Sequence, residues 1–570
     1  MEKDEGKSSY NVQFSVEDDE KDILEQENES KTENESSELK EEKKTDLQKR
    51  KSKTKRKKII RWVIYIISML IMIGVMFHSK RLYDLVSSYT FLPDKYIQYL
   101  TYGLIGVNIF FSIFAFLPNV NNLNKILQSI LCLGLAYGLV MANLVIIPNF
   151  KGQLERMFIE VPTEGELMIN VYVLKDSEIA DVSDLPGKVV GIQSQLDVEY
   201  QDYALKVINR ELEGEPVESK AYEDIYSIVE ALYAGEVDAI MLNESYAEII
   251  AENDDFLSYN EDTRVVYTCV QKISLEYDSA NVGDVTTEPF IIMLGGSDSR
   301  NYKSLKATTK AGRTDVNMLL VVNPTTKQVL VITIPRDGYV ALWGNKNCMD
   351  KLTHATVYSI KAWQQTVNAL FDIKINYYFR VNFLSIVKII DAMGGLEINN
   401  PYYFETRACF DPVTYAENVY AAFPEGKITL TGGQTLGYVR ERKGRKPDGT
   451  SIGDYGRNRH QAIVVDALIK QVTSVSTITN IGEILKAVEG TFFTDISMDA
   501  IYALAQMQLN DMATWDVVQH NITGKGAYRT SYAMGQSTGK TYSVVILNED
   551  HIKRAKTMIK QILNNEIIKK

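Results

Sequence analysis

Phe290-Ile291-Ile292-Met293-Leu294-Gly295-Gly296-Ser297-Asp298-Ser299-Arg300 decides how the second half of this chain folds. Five apolar residues without a polar break read as a strand covered on both faces. The run stops at two glycines and then turns charged, and charge at the end of a buried strand marks a candidate site. Working outward, Asn317 to Val322 is a second apolar strand, and Asn323-Pro324-Thr325-Thr326 is a turn that sends the chain back through Val329 to Ile334 as a hairpin. Arg313-Thr314-Asp315 precedes that hairpin and Pro335-Arg336-Asp337 follows it, so three strand ends carry Asp or Arg. The fold class predicted is α/β, a central sheet flanked by helices.

Further along, Tyr438-Val439-Arg440-Glu441-Arg442 alternates as an extended segment would, putting Arg440 and Arg442 on one face. Between Tyr438 and His460 stand seven Lys or Arg against three carboxylates. Asp454 to Gln461 leads into an apolar-periodic run, Ala462 to Val472, that reads as a helix. Arg457 and Gln461, four apart, then share a face near its N-terminus, where an anion is favoured. Several arginines aimed at one place suit a pyrophosphate, because the guanidinium fork matches phosphate oxygens two at a time and stays charged. Asp298 and Asp315 would repel such a group unless a divalent cation such as Mg2+ sat between them and the phosphates.

These clusters, in this order, resemble the LytR-CpsA-Psr family: Leu294 to Arg300, Arg313-Thr314-Asp315, Ile334-Pro335-Arg336-Asp337, Lys351-Leu352-Thr353-His354-Ala355, Val387 to Gly395, Tyr438 to Arg442, and Asp454-Tyr455-Gly456-Arg457. The resemblance runs from about Pro289 to the end. It implies a phosphotransferase that takes a glycopolymer from a polyprenyl-pyrophosphate carrier and joins it to peptidoglycan. By motif position it implies Asp298 and Asp315 as magnesium ligands and catalytic groups. Arg300, Arg313, Arg336, Arg440, Arg442, Arg457 and Gln461 would grip the pyrophosphate, and Asp315 or Asp337 would accept the acceptor hydroxyl's proton. Teichoic acid, capsule and similar polymers present the same pyrophosphate. A polyprenyl-pyrophosphate hydrolase and a non-enzymatic envelope sensor are the rival readings.

The chain departs from that family at His460, where an arginine is common; here an arginine stands one position earlier, at Arg459. Lys351 and His354 read equally as ligands or as a surface lysine and a packed histidine. Gly444 to Gly453, with Pro447-Asp448-Gly449, reads as a mobile loop over the basic cluster. Four cysteines without CxxC spacing indicate neither a disulfide framework nor a zinc site.

The first half is organised differently. Residues 1–58 are acidic and then basic, ending in Lys49 to Lys58, and are nearly free of large apolar side chains, so they are expected to be a disordered cytoplasmic tail. Three apolar runs, Ile59 to Phe77, Tyr99 to Leu117 and Ile126 to Ile147, are each near the roughly 20 residues that a helix needs to cross hydrocarbon. Three spans behind a basic block predict a multi-pass cell-membrane protein with a cytoplasmic N-terminus and extracellular C-terminal domains. The basic block serves as a membrane-proximal tether, so no nucleic-acid partner is expected.

Residues 164–273 alternate β-branched runs with helical patterns, the rhythm of a small α/β lobe with a parallel sheet. Val182 to Gly191 and Ala231 to Ile240 resemble one lobe of the extracellular solute-binding proteins, which suggests a spacer or a docking surface for an envelope protein, with a solute site as the alternative. The catalytic domain then occupies 286–570.

Overall fold

The computed structural model describes residues 17–88, 92–116, 122–147, 164–213, 216–251, 253–274, 279–280, 282–297, 313–343, 348–414, 416–472, 492–531 and 541–569. The chain forms two compact units. One holds 1–86 with 98–146; the other holds 87–97 with 147–570.

In the first unit, α1 (Glu17–Ser87) is one continuous helix. It therefore includes much of the segment expected to be disordered. The composition explains this: Glu and Lys are good helix formers, and charges one turn apart pair, as Arg50 does with Asp46 at 3.2 Å. α2 spans Asp94–Phe116, and α3 (Asn122–Met141) continues in a π-helical turn, Ala142–Ile146. Among the described residues two helical segments are long and apolar enough to cross a membrane, Lys44–Ser87 and Asp94–Ile113; the third apolar stretch, Ser129–Val145, is shorter. Val75, Phe111 and Cys132 pack the bundle interior. Small polar side chains tie its helices: Asn108 donates to Ser79 Oγ at 3.0 Å and Asn143 to the His78 carbonyl at 2.9 Å. Trp62, Leu70, Phe77 and Tyr102 lie exposed on the surface of these helices.

The lobe is a five-stranded sheet in the order β3-β2-β4-β1-β5, from β1 (Glu164–Leu174), β2 (Val189–Gln193), β3 (Glu218–Tyr222), β4 (Ala239–Asn243) and β5 (Thr263–Ser274). Only β3-β2-β4 are parallel. β1 runs antiparallel to β4 and β5, so the sheet is mixed where a parallel one was expected. Two helices connect its parallel strands, α4 (Val198–Glu211) and α5 (Ile225–Tyr233). α5 begins where Asp224 Oδ1 accepts from the Tyr226 and Ser227 amides, both at 2.9 Å, and ends before Gly235 at φ +70°. A short helix, α6 (Tyr246–Ile250), follows β4.

The remaining domain centres on a six-stranded sheet, order β16-β11-β6-β7-β8-β17, from β6 (Phe290–Ser297), β7 (Thr314–Asn323), β8 (Gln328–Ile334), β11 (Tyr377–Asn382), β16 (Phe492–Thr494) and β17 (Asp516–Asn521). The β7–β8 turn forms as predicted, with Asn323 Oδ1 accepting from the Thr325 and Thr326 amides. Both faces of the sheet are covered, which explains the unbroken apolar run at its centre. Ile291, Met293, Leu319 and Ile332 face α8 (Ile360–Phe371) and α13 (Glu549–Leu563); Met318, Val329 and Val331 face α11 (Gly453–Val472).

Smaller pairs surround the sheet: β9 (Tyr339–Ala341) with β10 (Met349–Lys351), β12 (Leu396–Asn400) with β15 (Gly426–Leu430), β13 (Phe404–Asp411) with β14 (Ala416–Phe423), and β18 (Gly524–Arg529) with β19 (Tyr542–Leu547). Short helices α7 (Ala355–Tyr358), α9 (Phe383–Ala392), α10 (Gly432–Arg440) and α12 (Met498–Asp511) complete the domain. The sequence pattern of an apolar run from Thr541 to Val545 followed by a helical pattern from His551 to Leu563 corresponds to β19 and α13.

The alternating segment Tyr438 to Arg442 is not extended. Tyr438 to Arg440 form the last turn of α10, and only Glu441 beyond it is extended. A capping box starts that helix: Thr431 Oγ1 accepts from the Gln434 amide, and Gln434 Oε1 from the Thr431 amide. Glycines let it lie directly on β13; a Cβ at Gly433 would sit 1.8 Å from the Phe410 carbonyl oxygen, and one at Gly437 2.4 Å from Cys409 Sγ. The period of two in the sequence was incidental to a glycine-rich helix end. All four cysteines are free thiols.

Candidate active site

β7 and β8 are antiparallel with Asn317 opposite Ile334, so residues just before Asn317 lie beside residues just after Ile334. This register brings Asp315 to Arg336: Arg336 Nη1 donates to Asp315 Oδ1 at 2.6 Å, with both side chains 13 % exposed. Arg336 Nε lies 3.4 Å from Asp337 Oδ2, and Lys351 Nζ 3.6 Å from Asp337 Oδ1. The four groups make an alternating row of acid and base at one end of the sheet. Burial would raise the Asp315 pKa, but the charges of Arg336, Arg313 and Arg457 and the Arg336 hydrogen bond hold it below the ordinary carboxylate range. Three predicted arginines from three chain segments therefore act on one carboxylate.

Arg457 and Gln461 sit one turn apart on α11, whose first residue is Gly453, earlier than the sequence suggested. Gln461 Nε2 donates to the Val439 carbonyl at 3.2 Å, which fixes α11 beside the turn that bears Arg440. Arg442 is exposed, and its carbonyl accepts from the Gly453 amide at 2.9 Å at the start of α11. The helical turn replaces the predicted shared face of Arg440 and Arg442 with two positions on either side of Glu441. Asp298 and Arg300 lie outside the described residues. The sheet register stops at Ser297 opposite Thr314, one residue short of each motif aspartate.

Glu441 is buried; it accepts from the Thr406 hydroxyl and from the Gly444 amide, the latter at 2.6 Å. It ties the loop down, a role that two flanking arginines concealed in the sequence. The loop itself is a closed hairpin: Lys446 N donates to Thr450 O at 2.9 Å and Ile452 N to Gly444 O at 2.8 Å. His354 Nδ1 lies 3.0 Å from Asp350 Oδ1 in a pair only 1 % and 0 % exposed, so His354 is packed. Lys351 is buried beside Asp337 and is no surface lysine. Asp350 escaped sequence reading, although its spacing of four from His354 was the available signal.

His460, where the family arginine was missing, is fully buried. Its ring stacks on Tyr438 with centroids 4.2 Å apart and on Phe404 at 4.9 Å. Nδ1 lies 3.1 Å from the Tyr438 carbonyl, which can only accept, so Nδ1 carries the proton and Nε2 accepts from the Tyr402 hydroxyl at 2.9 Å. Burial first, then the charges of Arg459 and Lys446, push its pKa down to about 4. Arg459 itself is exposed.

The LytR_cpsA_psr family profile matches residues 259–561, more than half of the chain. The chain belongs to the LytR-CpsA-Psr family. The match begins at Tyr259, so α1 to α3 and most of the lobe precede it. Within this family the chain is similar to the polyisoprenyl-teichoic acid–peptidoglycan teichoic acid transferase TagU of Halalkalibacterium halodurans. The two are 34 % identical over 243 residues, covering 42 % of this chain and 71 % of that one. The TagU of Oceanobacillus iheyensis is 32 % identical over 288 residues, covering 48 % and 82 %. Among solved structures, the crystal structure of B. subtilis TagU aligns at 23 % identity with a TM-score of 0.35, covering 50 % of this chain and all of that one. The LytR-CpsA-Psr assignment rests on the sequence matches. The similarity to solute-binding proteins gains no support from them.

Proposed function

We propose that this LytR-CpsA-Psr protein transfers a glycopolymer from a polyprenyl-pyrophosphate carrier to a peptidoglycan hydroxyl at the outer face of the cell membrane. The observation that carries the reading is the convergence of Arg313, Arg336 and Arg457 on Asp315. Positive charge from three segments in a partly buried place stabilises charge that spreads over a transferring phosphoryl group. The acceptor oxygen forms a bond to the polymer-bearing phosphorus, the bond from that phosphorus to the bridging oxygen breaks, and polyprenyl phosphate leaves. Asp315, held ionised by its arginines, is poorly suited to take a proton. It suits a hard cation, and with Asp298 it would hold Mg2+, which would neutralise phosphate charge. Among the described residues no cluster of three or more His, Cys, Asp or Glu is arranged for a metal, so Asp315 would rely on Asp298 and substrate oxygens. Asp337, between Arg336 and Lys351, is then the group to accept the acceptor's proton. Arg300, Arg440, Arg442 and Gln461 complete the proposed pyrophosphate grip.

We place the N-terminus in the cytoplasm, with α1, α2 and α3 as three spans and the lobe and catalytic domain outside. The basic stretch Lys49 to Lys58 on α1, directly before the apolar part, supports that orientation.

The test is transfer in vitro with the full chain in detergent, a synthetic polyprenyl-pyrophosphate glycan, Mg2+ and oligomeric peptidoglycan. Linked product with wild type that disappears in Arg457→Ala supports the reading. Phosphate release without linkage replaces it with hydrolysis, and tight lipid binding without turnover replaces it with sensing.

A further inference from the structure

The lobe is joined to the catalytic domain by a continuous core. Ile225, Tyr226, Val229, Tyr246 and Tyr259 belong to the same cluster of buried side chains as Leu352, Val357, Tyr542 and Val544. The contact nearest to the chemistry is aromatic. Tyr226, near the start of α5, meets Tyr542 on β19 with ring centroids 6.0 Å apart and planes at 50°, and its other neighbour is Phe256 of the lobe, stacked at 6.0 Å. Tyr542 in turn lies under Lys351, whose Nζ stands 5.5 Å from the ring centroid, within the range where a cation is attracted to an aromatic face. Lys351 reaches Asp337 at 3.6 Å, Asp337 touches Arg336, and Arg336 binds Asp315.

The backbone makes the same link. The Val545 amide donates to the Asp337 carbonyl at 2.8 Å, and Gly338 bridges Val545 in parallel. The strand that the lobe presses on is therefore stitched to the residue beside the arginine site. A cation held over a ring and against one carboxylate loses rotamer freedom, and that is how a distant contact can fix Lys351.

We propose that Tyr542 is a positioning residue for Lys351 and Asp337, and that Tyr226 of the lobe holds it in place, so that the lobe sets turnover without touching substrate. For the turnover part the proposal rests on the transferase reading; the placement of Lys351 does not.

Two readouts test it in the full chain in detergent. The first is the rate of reductive methylation of Lys351, read by mass spectrometry. Tyr542→Leu and Tyr226→Ala should raise it about tenfold, and Tyr542→Phe, which keeps the ring, should leave it at the wild-type rate. Equal rates in all four proteins overturn the proposal, whether or not the protein proves to be a transferase. The second is kinetic. Tyr542→Leu should lower kcat about tenfold with KM for the lipid substrate within about twofold, Tyr542→Phe should restore it, and in a Lys351→Ala background Tyr542→Leu should add nothing. Penalties that multiply in the double variant overturn it. Far-UV circular dichroism of each variant separates loss of fold from loss of positioning. If wild type itself forms no linked product, the transferase reading falls and the methylation rates alone decide the positioning.

Discussion

Tyr438 on α10 and His460 on α11 stack with their ring planes 25° apart, and the same histidine donates to the Tyr438 carbonyl. One side chain thus fastens the helix end that bears Arg440 to the helix that bears Arg457. The fastening is strongest while the imidazole is neutral, because protonation would place a charge in a fully buried site and remove the Nε2 lone pair that accepts from the Tyr402 hydroxyl.

Acid should loosen it. The folded pKa of about 4 lies below the ordinary value of 6.5, so between these values the unfolded chain binds a proton that the native chain does not. Stability should be level above about pH 6.5 and fall by about 3 kcal/mol from there to pH 4, without further loss from this group below that. Chemical denaturation at stepped pH checks this, and His460→Gln should flatten the slope in that window.

Removing Arg336 leaves the Asp315 carboxylate partly buried without its bonded partner. Arg336→Ala should cost about 3 kcal/mol of stability, and Asp315→Asn in the same chain should return most of it, because the stranded charge is gone. Neither protein should transfer polymer. Denaturant melts read beside activity separate the two effects.

Arg457 acts on Asp315 by charge, and its planar fork suits phosphate. Arg457→Ala should lower kcat/KM about 100-fold and Arg457→Lys about tenfold, since lysine keeps the charge and loses the fork. Similar rates in the two variants would mean that geometry contributes nothing there.

Chelation should abolish transfer, and Mg2+ should restore it. In Asp315→Asn the concentration of Mg2+ giving half-maximal rate should rise at least about tenfold. A titration of rate against free Mg2+ decides the matter; an unchanged midpoint removes Asp315 from the metal.

Gly433 leaves no space for a side chain, because a Cβ would meet the Phe410 carbonyl at 1.8 Å. Gly433→Ala should cost at least about 3 kcal/mol, read from its denaturation midpoint, since the obstacle is backbone.

Much of this architecture was legible from the hairpin around Asn323. Apolar runs gave the strands, the Asx turn gave the register, and the register alone brings Asp315 to Arg336. The helix at Tyr438 was not legible, because Arg-Glu-Arg mimics strand alternation, and what decides against it is a steric fit between glycines and β13 formed by distant sequence. His460 misled for a related reason: its partners Tyr402, Phe404 and Tyr438 come from three elements, so a core position looked like a lost arginine. Lys351 read equally as a ligand or a surface lysine, and what decides against the surface is its burial over Tyr542 of β19. In the lobe, strand content was readable but direction was not, since β1 finds both of its antiparallel neighbours, β4 and β5, far downstream in the sequence.

The continuous core shared by α5 and β19 has a consequence for how the protein comes to exist. The lobe is made first, and the face around Tyr226 stays bare until β19 has arrived. The half-made protein would therefore carry an oily surface, which a folding helper or slow synthesis would have to guard. A gene cut between the halves should yield two sticky fragments rather than two modules.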